Sequence, residues 1–422
     1  MSKIRIKNFG PIKEGFKESL PNGTINEWMD IKKVTMFIGN QGSGKSTVAK
    51  LISTFSWMEK ALLNGTLDSI TENSTQQFIE ERCGYLRLEK YFKPNSEIFY
   101  RGDYFDIEFE KGFLNCEEKK SNDLYNIPKI MYVPAERSFL SSVEDTDSIS
   151  GLPRSLDTFR FENNRSLKAL GDVLKLPFGS YQLRYDHSKR TSYIQGDDYE
   201  LELSAASSGL HSAVPLYIVS RDLANVIATR KTDNSISALN YKQQIKKNAE
   251  LQELRVGADD VLSNEHLDEF KKQEQIIESK YRNSSFLNIV EEPEQNLYPS
   301  SQRSILNSLI EYNNITNGNK LVMTTHSPYL INYLTLAVKA YQISKELKYE
   351  LLKEKLAAIV PPKSMVNPDD LAIYELDEKE GKIIKLADYY GIPSDENYLN
   401  QVLANSNLLY DALLEIEEDN ES

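Results

Sequence analysis

The sequence is poor in cysteine and contains no long hydrophobic run. Its 422 residues include only two cysteines, Cys83 and Cys116, which lack the spacing of a metal site and are too few for a disulfide framework. No apolar stretch approaches the roughly 20 residues that span a bilayer. The opening residues, MSKIRIKNFGPIKEG, lack the apolar core of a signal peptide. We therefore expect a cytoplasmic protein without a membrane partner.

Positive charge is also scarce. The 50 Lys and Arg residues are outnumbered by 63 Asp and Glu residues, so the formal net charge is -13. An overall negative field disfavours a protein that coats nucleic acid, although a local basic groove is compatible with it. Binding of nucleic acid therefore stays open. The length, by contrast, is sufficient for one large domain or two domains of ordinary size.

A glycine-rich stretch, FIGNQGSGKST, occupies residues 37–47. It follows the apolar run VTMFI, and after it apolar residues recur at helical spacing from Val48 to Met58, so it joins a predicted strand to a predicted helix. Gly39, Gly42 and Gly44 permit positive φ and expose N–H groups that can bind an anion at the start of a helix. The pattern is that of a phosphate-binding loop, G-x-x-x-x-G-K-[ST].

The last three residues of this phosphate loop each have an expected role. Lys45 supplies positive charge to the β- and γ-phosphates, the Ser46 hydroxyl suits Mg²⁺, and Thr47 can reach the α-phosphate. The loop alone does not distinguish kinases, GTPases, motors and switches. The residues expected to contact the nucleotide are Asn40, Gln41, Gly42, Ser43, Gly44, Lys45, Ser46 and Thr47.

Two carboxylates follow a second apolar run far along the chain. The run FLNIV, residues 286–290, leads directly into EEPEQNLYP. The carboxyl ends of parallel strands are where open α/β sheets bind ligands. We expect Glu291 to hold hydrated Mg²⁺ and Glu292 to orient and deprotonate the attacking water. A charged turn without catalytic function is the alternative.

A third predicted strand, in KLVMTTHSPYLI at 320–331, is followed by His326. A lone histidine is usually a surface or packing residue, but this position suits a sensor of the γ-phosphate. Between these motifs lies SAASSGLHSAVPL, residues 204–216, where Ser207, Ser208 and Gly209 can cap a helix and present N–H groups to an anion. Pro215 predicts a kink in that helix. A plain capped helix is the alternative.

The ordered set GNQGSGKST, SSGLHS, IVEEPEQNLYP and VMTTHSP resembles the ABC-type ATPase domains of the SMC, RecF and OLD group. Within the group it is most similar to OLD-like ATPases of bacterial anti-phage systems. The resemblance implies an α/β head with a mostly parallel sheet, an antiparallel β-subdomain and a helical insertion. It also implies ATP and Mg²⁺ as cofactors, Lys45, Glu292 and His326 as catalytic residues, and a homodimer. In such dimers the signature of one head, here Ser207, Ser208 and Gly209, meets the ATP of the other.

Two features depart from the family pattern. The metal position is occupied by Glu291 where most ABC proteins have Asp, and Gln76 and Gln77 are only candidates for the glutamine that couples nucleotide to other domains. The AER stretch, residues 135–137, recurs in OLD-like proteins. Its Arg137 could contact phosphate or an interface, or could form a buried salt bridge.

The expected organisation is an ATPase head over residues 1–340 and a C-terminal extension over 341–422. Within the head, a hairpin is expected at 98–109 and a helical insertion at 223–285. The extension is expected to contain a strand pair at 369–386 and a leucine-lined helix that docks a partner. Full-length OLD proteins carry a TOPRIM nuclease after the head, but its glutamate and paired-aspartate motifs are not evident here, so we do not expect this nuclease in residues 341–422.

These observations together predict a Mg²⁺-dependent ATP hydrolase that dimerises around ATP. We expect it to control a separately encoded effector, a nuclease or toxin, in anti-phage defence. Two alternatives stay open: a RecF- or SMC-like repair ATPase that binds duplex DNA, and an ATP-occupied scaffold with negligible turnover.

Overall fold

A seven-stranded sheet forms the centre of the protein, which is represented by a computed structural model. The structure describes residues 2–67, 74–119, 121, 123–143, 146–171, 173–230, 239–256 and 264–421. Five neighbouring strands of this central sheet are parallel, and the sixth is antiparallel to the fifth. In spatial order the strands are Ile127–Val133, Asn283–Glu291, Lys320–Thr325, Val34–Gly39, Leu371–Asp377, Lys382–Lys385 and Gly15–Phe16. The expected mostly parallel α/β architecture is confirmed.

The central sheet is covered on both faces, which explains why its strands are apolar throughout. Every residue of strand Val34–Gly39 is buried. Met36 and Ile38 pack into one hydrophobic cluster and Phe37 into the other, as the two-residue period of a strand requires. The helices of eight or more residues are Lys45–Leu63, Arg154–Lys168, Ser208–Arg230, Tyr241–Val256, Asn264–Ser279, Pro299–Asn314, Pro328–Glu346, Glu350–Ile359 and Tyr398–Glu421. Among the described residues, none of the helices combines the length and apolarity that a membrane span requires.

Antiparallel sheets flank this core. The hairpin expected at 98–109 is confirmed, and it lies in a five-stranded sheet of Met29–Asp30, Lys3–Lys7, Glu97–Arg101, Phe105–Glu110 and Phe113–Glu118. A second, four-stranded sheet, called here the small sheet, was not predicted. It contains Leu174–Lys175, Gln182–Asp186, Thr191–Gln195 and Glu200–Glu202. Two strand pairs complete the set: Glu18–Ser19 with Ile25–Asn26, and Asp388–Tyr389 with Ile392–Pro393.

The helical insertion is shorter than the predicted 223–285. Helix Ser208–Arg230 continues through the first eight of those residues, and strand Asn283–Glu291 already begins at the last three. The insertion therefore consists of two helices, Tyr241–Val256 and Asn264–Ser279. Ion pairs at 3.3 Å and 3.1 Å join the first helix to the second and to the turn after it, through Lys247 with Glu278 and Glu250 with Lys280.

The C-terminal strand pair lies inside the central sheet. The hairpin forms at the expected place, with Gly381 at φ 61° in its turn. Its first strand, Leu371–Asp377, pairs in parallel with Val34–Gly39, so these residues belong to the same sheet as the phosphate loop. The boundary near residue 340 stays a prediction, but the strand pair after it is not a peripheral element.

The C-terminal helix, Tyr398–Glu421, is confirmed as a helix and projects from the core. Its start is held by a hydrogen bond of 3.1 Å from the Tyr398 N–H to the Glu375 carboxylate, and Leu399 is buried. All side chains from 401 to 419 are exposed. The exposed large apolar side chains of this helix are Val402, Leu403, Leu408, Leu409, Tyr410, Leu413, Leu414 and Ile416.

Candidate nucleotide site

The phosphate loop connects strand Val34–Gly39 to helix Lys45–Leu63 at the carboxyl edge of the central sheet. Two glycines are required there for steric reasons. A Cβ on Gly39, at φ 141°, would lie 2.4 Å from the Leu376 carbonyl oxygen of the neighbouring strand. Gly44 has φ 103°, and its Cβ would lie 3.0 Å from the ring of Pro11. The loop therefore has the backbone form that its glycines predict.

Lys45 is buried within the loop. Its ammonium group donates hydrogen bonds to the carbonyl oxygens of Gly39, at 2.9 Å, and Asn40, at 2.8 Å. Its Nζ also lies 3.4 Å from Nδ1 of His326. Burial lowers the pKa of Lys45 to about 8, because desolvation disfavours the charged form, while the charge of Glu292 acts in the opposite direction. A phosphate near Lys45 would favour the charged ammonium.

Glu292 faces the other side of the same imidazole. Its Oε1 lies 3.4 Å from Nε2 of His326. Because an ammonium group can only donate, the contact with Lys45 makes Nδ1 the acceptor and places the ring proton on Nε2, which donates to Glu292. This hydrogen bond is the main reason that the pKa of Glu292 is lowered. Glu292 also has φ 45°, a left-handed conformation that is uncommon for a residue other than glycine.

Glu291 is buried at the end of strand Asn283–Glu291. Its Oε2 accepts a hydrogen bond of 3.2 Å from the Ala135 N–H. Its Oε1 is also buried and has no hydrogen-bond partner among the described residues. A buried carboxylate oxygen without a donor suits a hard cation such as Mg²⁺. Ser46, the other predicted metal ligand, is half-buried in the first turn of helix Lys45–Leu63.

Glu294 is a site residue that was not predicted. Its Oε1 accepts hydrogen bonds of 2.7 Å from the Thr325 hydroxyl and from the His326 N–H. Burial raises the pKa of Glu294 because the carboxylate is desolvated. The side chain thus fixes the backbone that carries His326. The sequence did contain a sign of this residue, because Glu294 is the last glutamate of EEPE and a buried function for it could have been considered.

Arg137 joins residues 291–296, called here the acidic segment, to the helix that begins at Ser208, called here the signature helix. Its guanidinium is fully buried and donates to the carbonyl oxygens of Glu291 and Glu292, each at 2.6 Å. It also donates to Ser212 O at 3.0 Å and Pro134 O at 3.2 Å. Burial lowers its pKa to about 10. The buried salt bridge, one of the alternatives for this residue, is not found: among the described residues, Arg137 bonds to main-chain carbonyls and to no carboxylate oxygen.

The predicted signature residues lie at the start of helix Ser208–Arg230. Ser207 and Ser208 are exposed. Gly209 is required by packing, because its Cβ would lie 2.8 Å from the Asn296 carbonyl oxygen. No hydrogen bond joins these three residues to the phosphate loop within the described part of the chain. The helix continues without interruption through Pro215.

A cavity of about 490 Å³ adjoins the signature residues. Its lining residues include Glu136, Ser208 with His211, and Gln295 with Asn296, which belong to three separate segments of the chain. Asn296 also donates to the Ser212 hydroxyl at 3.3 Å, which connects the acidic segment to the signature helix. The cavity is therefore bordered by polar groups from three segments.

Three other residues singled out in the sequence, Asn40, Gln76 and Gln77, form side-chain hydrogen bonds. The Asn40 amide donates to Glu378 at 3.0 Å, which lowers the pKa of that carboxyl, so the C-terminal hairpin reaches the phosphate loop. Glu378 was not predicted. Gln76 and Gln77 are exposed, and their amides donate to Glu80 and Glu81. Their assignment as coupling glutamines stays a prediction.

Residues 261–331 match a family model described as an AAA ATPase domain. This segment contains the strand that ends at Glu291, the remainder of EEPE, and His326. The match supports an ATPase and therefore nucleotide binding at this site. A comparison with curated proteins gave no match.

Solved structures of similar proteins include heads of SMC proteins and cassettes of ABC transporters. The SMC head domain from Thermotoga maritima is 10% identical, with 92% of this chain and 98% of that chain covered and a TM-score of 0.36. The Smc head from Pyrococcus furiosus, bound to the C-terminal domain of ScpA, is 10% identical over 92% and 97%, with a TM-score of 0.35. A dimeric bacterial ABC transporter cassette is 13% identical over 92% and 100%, with a TM-score of 0.22. Similarity at this level says nothing about partners or substrates of this chain.

Proposed function

We propose that this protein is a cytoplasmic, Mg²⁺-dependent ATPase that dimerises around ATP. One observation carries the proposal: Lys45, His326 and Glu292 form a continuous row, with each neighbouring pair at 3.4 Å. A cation for phosphate, a polar group between, and an ionised carboxylate are the groups that hydrolysis of a phosphoanhydride requires. They come from three adjacent parallel strands or the loops that follow them.

Each residue of the row has a distinct role in the proposed reaction. Lys45 binds the β- and γ-phosphates. Glu292, whose pKa is lowered mainly by His326, is ionised and can accept a proton from the attacking water. Glu291 and Ser46 would hold Mg²⁺, which offsets the charge that develops on the phosphates. Glu294 keeps the His326 backbone in position.

The signature residues support action between two chains. Ser207 and Ser208 are exposed beside the cavity of about 490 Å³, and no hydrogen bond connects them to the phosphate loop of their own chain in the described residues. We propose that they meet the γ-phosphate bound by a second copy. A helix start with free N–H groups favours such an anion.

Glu292→Gln tests the catalytic proposal. The amide keeps the shape of the side chain but cannot accept the proton, so ATP turnover should fall by about 100-fold or more while ATP stays bound. The variant should accumulate as a dimer of 48.3 kDa chains, measured by light scattering with ATP and Mg²⁺. The exposed Glu396, changed to Gln, is the matched control. Wild-type turnover by the Glu292 variant would assign the base to another residue.

We further propose that the C-terminal helix docks a separately encoded effector, a nuclease or toxin of anti-phage defence. The support is its row of exposed apolar side chains, since large exposed apolar surfaces mark interaction sites. Tagged wild-type protein and the Leu409→Asp, Leu413→Asp variant should be purified from native cells in parallel. The expected result is a co-purifying chain, lost in the variant, whose nuclease or toxin activity depends on ATP. Co-purification unaffected by the two substitutions would contradict docking at this helix.

A further inference from the structure

A second cavity, of about 550 Å³, lies beside the helix that begins at Ser208. Its walls come from helix Arg154–Lys168, from the small sheet and from the signature helix, which contributes Val214, Pro215 and Ile218. The volume is in the range of small-molecule sites, roughly 300 to 1,000 Å³. The cavity is separate from the residues assigned to ATP, none of which lines it.

Two polar side chains in this cavity are buried without partners. Asn163 is 7% exposed and Ser141 is 6% exposed, and both line the cavity. The Asn163 Oδ1 and the Ser141 Oγ have no hydrogen-bond partner among the described residues. Buried polar atoms are normally hydrogen-bonded, so an unpaired acceptor and an unpaired hydroxyl in the same cavity call for a ligand with a hydrogen-bond donor.

Three cations line the exposed part of the same cavity. Lys168, Lys189 and Arg190 are exposed, and none of them forms an ion pair with a carboxylate in the described part of the chain. Two carboxylates also line the cavity, and each accepts hydrogen bonds from neighbouring side chains. Asp147 accepts from Asn164 at 3.0 Å and from Arg160 at 3.5 Å, and Glu202 accepts from the Tyr193 hydroxyl at 3.5 Å. In the described part of the chain no ion-pair contact occupies these three cations, so an external anion can approach them.

We infer that this cavity binds a mononucleotide. The ligand must present an apolar face to the buried Leu167, Leu203 and Val214, and its other side can be polar because Thr191, Ser192 and Ser204 also line the cavity. It must present an N–H or O–H donor at the buried end and negative charge at the exposed end. A nucleobase bearing N–H groups, joined through ribose to a phosphate, meets all three requirements. The bound molecule would contact the helix that begins at Ser208, so its presence would be communicated to the signature.

Calorimetry with AMP, GMP, CMP and UMP tests this inference on the full-length Lys45→Ala protein, in which the phosphate loop has lost its cation. At least one of the four should bind with one site per chain. Asn163→Leu and, separately, Lys189→Glu with Arg190→Glu should each weaken binding by about tenfold or more, as expected for the loss of one buried hydrogen bond or a paired charge. Lys175→Glu, an exposed charge change on the small sheet but outside the cavity, is the control and should change affinity by less than about twofold.

Three results would overturn the assignment. The first is that none of the four nucleotides binds. The second is that binding survives the substitutions at Lys189 and Arg190. These side chains are exposed, so replacing them does not disturb the core, and a loss of binding in this variant cannot be attributed to misfolding. The third is that ribose 5-phosphate binds as tightly as the best nucleotide, because the base would then make no contribution. None of these outcomes bears on ATP hydrolysis at Glu292.

Discussion

Nε2 of His326 lies 3.4 Å from Oε1 of Glu292, and this contact joins the loops that follow two neighbouring parallel strands. The imidazole contacts the carboxylate and lowers its pKa, and Glu294 in turn holds the backbone of His326. The position and the pKa of the proposed base therefore depend on a residue more than 30 positions away in sequence.

Replacing His326 should change the pH dependence of turnover. In His326→Ala, the pKa of Glu292 loses the hydrogen bond that most lowers it and should rise. A base is active only when deprotonated, so the acidic limb of the pH–kcat profile should move to higher pH. His326→Gln retains an N–H donor and should shift the limb less. If both variants had a lower kcat than the wild type but the same acidic limb, this role of His326 would be contradicted.

Ser208→Arg should abolish the ATP-dependent dimer while each chain still binds ATP. The signature is proposed to act on the nucleotide of the second copy, and a bulky cation at the exposed helix start would block that approach. Light scattering measures the dimer and calorimetry measures ATP affinity. Ser188→Arg, in an exposed turn of the small sheet, is the matched control. A Ser208 variant that dimerises and turns over ATP would rule out the sandwich.

Arg137→Met should destabilise the fold, because four carbonyl oxygens lose the donor that satisfies them. We expect the free energy of unfolding to fall by about 3 kcal/mol, the scale for breaking a buried charged network. Arg137→Lys keeps the charge but lacks the five-donor fork, so it should be intermediate. Urea unfolding followed by circular dichroism gives the comparison. Equal stability of all three proteins would show that the carbonyls find other donors.

Glu294→Gln should become relatively more stable as pH rises. The pKa of Glu294 is raised above its ordinary value of 4.5 in the folded protein, so its stabilising effect is complete below that value and is lost as pH rises through the folded pKa. Gln does not titrate, and its oxygen can accept the same two hydrogen bonds. Melting temperatures of the two proteins, compared from about pH 5 to about pH 8, should therefore diverge in favour of Gln. A difference that is constant with pH would show that folding does not raise the pKa of Glu294.

Local pattern was sufficient to predict the segments that lie at the site. The strand before the phosphate loop, the helix after it, and the strands that end at Glu291 and Thr325 all follow from apolar runs bounded by glycine, proline or charge. Their meeting at one edge follows from the rule that parallel strands place their carboxyl ends together.

Non-local pairing and buried polar contacts could not be predicted in the same way. The small sheet has strands of two to five residues between charged turns, which give almost no periodic signal. The position of Leu371–Asp377 beside Val34–Gly39 depends on pairing across more than 300 residues of sequence. Likewise, nothing local distinguishes an arginine that binds carbonyl oxygens from one that binds a carboxylate or a phosphate, so the four main-chain partners of Arg137 could not be predicted.

The pairing of Leu371–Asp377 with Val34–Gly39 decides which fragments of this protein can be studied. A chain cut near residue 340 would lose the strand that covers one side of Val34–Gly39, and the strand that bears the phosphate loop would become an open edge. Such a fragment would present unpaired N–H and C=O groups beside the nucleotide site and would be prone to edge-to-edge association. Aggregation or inactivity of that fragment would then be caused by the exposed strand and would say nothing about the function of the residues removed. A useful truncation therefore has to end after the hairpin formed by Leu371–Asp377 and Lys382–Lys385.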